Sequence, residues 1–171
     1  MSKGVAAMAD KSTFTTDEWK TLLQSAMMAG IAVTAAEPSG LWGTLKESLA
    51  SSSALLQAKT GDANPLILAL VGDFETSEGR DAARDGLQAK LKGAKPDEMK
   101  TKCIEVLKQA RAIIEAKAPG DAAAVKAWLY QISQRVAEAS KEGGFMGIGG
   151  VAVSDAEKAT LAEISAALQT G

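Results

Sequence analysis

Histidine is absent from the 171 residues, and that omission removes more chemistry than any other feature of the composition. Without imidazole the chain has no side chain that ordinarily titrates near neutrality. Ser-His and Cys-His nucleophile pairs are excluded, and so are nearly all common transition-metal sites. A single cysteine, Cys103, leaves no intramolecular disulfide and no thiolate zinc cage. Charge of one sign is lacking too: 19 Lys and Arg stand against 21 Asp and Glu, for a net −2. Nucleic acid is therefore not an expected partner, because no broad basic field exists to hold a phosphate backbone. Long apolar runs are missing as well. The longest uncharged stretch, residues 21–36, falls short of the ~20 apolar residues of a bilayer-spanning helix and contains Thr21, Gln24, Ser25 and Thr34. Residues 1–12 have no contiguous apolar segment of the signal-peptide kind, and they read as a mobile leader on a cytoplasmic protein.

What is present is the composition of a globular chain, 46% hydrophobic and 23% charged, with abundant alanine and few β-branched runs. The pattern predicts a single all-α domain over 13–171, a compact bundle of six or seven helices. Thr15 and Glu18 form a capping-box pair, with Phe14 and Trp19 at the two positions of a hydrophobic staple. The helix they open carries Leu22, Leu23, Ala26, Met27, Met28, Gly30 and Ile31, leaves little polar face after Gln24, and ends at Glu37-Pro38. A second helix is expected from Leu41 through Trp42, Leu45 and Leu49, stopping near Ala50 or running on to Lys59. Asn64-Pro65 starts a short apolar third. Ser77 is read as the cap of a fourth, to Lys92 before Gly93. Pro96 opens a fifth, Pro119-Gly120 separates it from a sixth through Trp128 and Val136, and Ser154-Asp155-Ala156-Glu157 caps the last. Asp17-Glu18-Trp19-Lys20-Thr21 and Asp97-Glu98-Met99-Lys100-Thr101 echo one another. Each opens a long helix that ends at a proline, and a tryptophan-bearing helix follows each break. That echo suggests two related helical hairpins with pseudo-twofold symmetry, against the simpler reading of generic amphipathic helices.

Three groups of residues are candidate sites. Glu78, Asp81 and Asp85 share one helical face and, as oxygen donors, suit Mg²⁺ or Ca²⁺ holding a phosphorylated ligand. The competing reading is a solvated face neutralised by Arg80 and Arg84. The glycine-rich segment 143–153 carries Phe145, Met146, Ile148 and Val151, side chains that either tuck over the bundle or are offered to a partner. It is not a dinucleotide fingerprint or a P-loop, since no strand precedes it and the Gly-Lys-Ser/Thr ending is absent. Met27, Trp42 and Trp128 would line a pocket for an apolar small molecule, or simply belong to the core. Cys103 falls on a buried stripe, where a thiol acts as a small hydrophobe. The leading expectation is a helical protein-interaction module with an apolar binding surface centred on Phe145, Met146, Ile148 and Val151. It would bind a protein partner or a second copy and would have no catalytic activity and no cofactor. The alternatives are a Mg²⁺- or Ca²⁺-dependent helical enzyme or binding protein, and a carrier of an apolar small molecule.

Overall fold

The structure is a computed structural model and describes residues 9–35, 64–142 and 155–170. The expected helix around Trp42 and the whole of segment 143–153 lie outside the described residues. The fold is all-α. Among the described residues six helices follow a 3-10 turn: η1 Lys11–Thr13, α1 Thr16–Ala35, α2 Pro65–Glu75, α3 Ser77–Leu91, α4 Pro96–Lys117, α5 Ala122–Glu142 and α6 Asp155–Leu168. No strand occurs among the described residues.

The apolar breadth of α1 dictates the arrangement. Trp19, Leu22, Leu23, Ala26, Met28, Ala29, Ile31, Ala32 and Val33 are all buried, which no single neighbouring helix could achieve. Each of α2 to α6 touches α1, and α4 lies along it most extensively. Burying a Leu, Ile or Met side chain contributes about 1.5–3 kcal/mol, so a helix carrying this many of them becomes the centre of the bundle.

The helix starts are fixed by local hydrogen bonds. Glu18 Oε2 accepts the Thr15 amide at 2.8 Å and Thr15 Oγ1 accepts the Glu18 amide at 3.2 Å. The Phe14 and Trp19 rings meet with centroids 5.8 Å apart. At α4, Glu98 Oε2 accepts the Lys95 amide at 3.2 Å, and Thr101 Oγ1 donates to the Asp97 carbonyl as Thr21 Oγ1 does to that of Asp17. The two echoed pentapeptides thus share two of their bonds, the Glu side chain accepting the N-cap amide and the Thr hydroxyl donating to the Asp carbonyl. Asn64 Oδ1 accepts the Leu66 and Ile67 amides to cap α2, while its Nδ2 donates to Asp121 Oδ1 at 2.8 Å. The α2–α3 break falls one residue before the expected cap: Thr76 Oγ1, not that of Ser77, accepts the Gly79 amide at 3.0 Å. Within Ala9 to Ser12, which the sequence reading leaves in the leader, a 3-10 turn begins at Lys11. Ala9 is buried, Asp10 caps η1 by accepting the Ser12 amide at 2.8 Å, and the turn rests on α2.

Two glycines of α3 sit where a side chain has no room. A Cβ at Gly79 would lie 2.0 Å from the Asp73 carbonyl oxygen, and one at Gly86 would lie 1.9 Å from the Gln24 amide nitrogen. The first obstacle is backbone and the second a flexible side chain. Gly72, inside α2, faces open space. Gly79→Ala should lower the unfolding free energy by about 2 kcal/mol, as overpacking does. Gly72→Ala should raise it by roughly 0.5–1 kcal/mol by removing backbone freedom from the unfolded chain. Urea denaturation measures both.

Hydrogen bonds from the Ser12 hydroxyl and amide hold the Asp10 carboxyl below its usual pKa. The Thr15 amide, aided by the Lys117 ammonium, does the same for Glu18. A folded-state pKa below the unfolded value, about 4 for these groups, means stability that is complete above that value and lost as pH falls through the folded one. Asp10→Asn and Glu18→Gln should each flatten the loss of thermal stability seen by calorimetry below about pH 4.

Candidate functional site

The sequence-predicted residues fall in different places. Glu78, Asp81 and Asp85 lie exposed on α3. Asp81 is paired with Arg84. Arg80 turns away from the acids, its Nη1 donating to the Phe74 and Glu75 carbonyls at 3.3 and 2.9 Å to close the end of α2. Among the described residues no three Asp, Glu, Cys or His side chains gather closely enough to hold a metal ion. Met27 is half-buried against the core and Trp128 is buried within it, far enough inside that the indole Nε1 donates to no described acceptor. Trp42, Phe145, Met146, Ile148 and Val151 lie outside the described residues.

Cys103 is fully buried and donates through Sγ to Met28 Sδ at 3.3 Å. Burial pushes its thiol pKa up to about 12. The two lysines near it in sequence are engaged elsewhere. Lys100 pairs with Glu163 at 3.2 Å, and Lys102 Nζ donates to the Lys90 carbonyl at the end of α3 at 3.0 Å. A neutral, enclosed thiol is a poor nucleophile. Ellman's reagent at pH 8 should leave Cys103 untouched in the native protein and modify it fully in denaturant.

Two surface depressions were not foreseen. The larger is an open groove of about 930 Å³ between α5 and α6, lined by Tyr130, Lys158, Leu161, Ala162, Ser165, Ala166 and Gln169. The face of α6 that forms it has small residues at 162, 165 and 166, with Leu161 and Tyr130 half-buried beside them. Arg111 on α4 steadies the far end of α6 by donating through Nη1 to the Ala167 carbonyl at 3.2 Å. The helix closes with the Thr170 amide bonded to the Ser165 carbonyl and the Gln169 amide to that of Ala166, with Gln169 at φ +56°. Glycine would adopt that left-handed conformation without strain; glutamine instead puts an amide on the rim.

The smaller depression is a half-open cleft of about 120 Å³ where η1 and the start of α1 face the α2–α3 junction. Asp73 forms one wall. Its Oδ2 accepts the Trp19 indole N–H at 2.6 Å and the Lys11 ammonium at 3.1 Å. Lys20, Glu78, Phe14, Leu23 and Ala82 also line it. The motif reading missed this cleft because Lys11, Trp19 and Asp73 are widely separated in sequence. The unusual helix-terminal Asp73 beside the Thr76-Ser77 break was the one available signal.

Deeper between α1 and α3, Gln24 is 6% exposed and its Oε1 accepts no hydrogen bond from any described residue. Its amide lies across the Cα of Gly86. Comparison of the chain with protein-family models, with curated proteins and with solved structures finds no match.

Proposed function

We propose that this chain is a helical interaction module that receives a helix of a partner protein on an apolar surface and catalyses no reaction. The observation that carries the reading is the α5–α6 groove. Its small residues Ala162, Ser165 and Ala166 would let an incoming backbone approach to the 8–10 Å typical of packed helices. Tyr130 and Leu161 supply the larger apolar contacts, an aromatic and an aliphatic anchor of the kind that dominates interface energy. Lys158 and Gln169 offer polar groups at the rim. About 930 Å³ of open groove suits two turns of helix better than a small molecule, which a site normally encloses on most sides.

Segment 143–154 supports the same reading from the sequence. It joins the two helices that wall the groove, and it brings Phe145, Met146, Ile148 and Val151 into the chain at that point. These apolar residues are the proposed second half of the partner contact. Catalysis is disfavoured by the lack of imidazole in the whole chain and by the neutral thiol of Cys103.

Affinity purification from the native host, with quantitative mass spectrometry, tests the reading on three proteins: the natural chain, Ala162→Glu/Ala166→Glu, and Phe145→Ser/Met146→Ser. A protein retained by the natural chain should be lost at least tenfold by both variants, about 1.4 kcal/mol or more of binding, with the urea midpoint unchanged. Retention by the groove-filled variant would overturn the groove as the binding surface. If the retained protein is the chain itself, sedimentation should show a concentration-dependent dimer that Ala162→Glu/Ala166→Glu abolishes.

A further inference from the structure

We draw no further inference here: the strongest candidate, the apolar surface patch on α2 where Leu68 is exposed and Gly72 faces open space, carries nothing because nothing in the structure shows what covers it.

Discussion

The bundle depends on one constraint: from Leu22 to Val33, α1 is too apolar to have a solvent side. From Trp19 to Val33 it presents large hydrophobic side chains in nearly every direction, and the conformational entropy of ordering the chain is offset only if those surfaces leave water together. Enclosure by five helices is the consequence. It also explains the small residues facing α1, because surrounding a helix on all sides forces some neighbours very close. Gly86 on α3 takes that role on one side, against Gln24. On another, Ser133 of α5 approaches near enough for its hydroxyl to donate to the Ala29 carbonyl at 2.8 Å.

With the apolar core set by α1, polar interactions define the seams between helices. Lys117 reaches Glu18 at 3.5 Å, tying the end of α4 to the start of α1. Lys126 pairs with Glu115 at 3.0 Å across the α4–α5 hairpin. Such exposed pairs contribute little each, roughly 0–1 kcal/mol, so they set register more than stability. The bonds around Asp73 are different in kind, since they join three separate elements at one partly buried carboxylate. They hold η1 against α1 and α2 and thereby leave the small cleft open beside them.

Most of the fold was legible because helix starts are local events. Thr15 with Glu18, Asn64 with Pro65, and Pro96 with Glu98 announce themselves within four residues. The α2–α3 cap was displaced by one residue, to Thr76, for a reason of the same local kind: two adjacent hydroxyl residues can each cap, and the Thr76 hydroxyl also donates to the Asp73 carbonyl at 2.7 Å. The capping of η1 by Asp10 carried no comparable signal, because its partners Ser12 and Thr13 look like any polar leader. The candidate sites were far less legible. A motif reading selects residues close in sequence, and so it chose the acids of α3, which the fold leaves spread along a solvent face. The groove and the cleft are made by residues brought together from different helices. Small residues such as Ala162 and Ala166 carry no signal until a neighbouring helix stands beside them.

Asn64 joins two turns that are far apart in the chain. The same amide that completes the first turn of α2 reaches Asp121, at the head of α5. Without Asp121 that side chain would lack one of its three partners. The bond therefore couples two turns, so that loosening the head of α5 also withdraws a partner from the residue that caps α2.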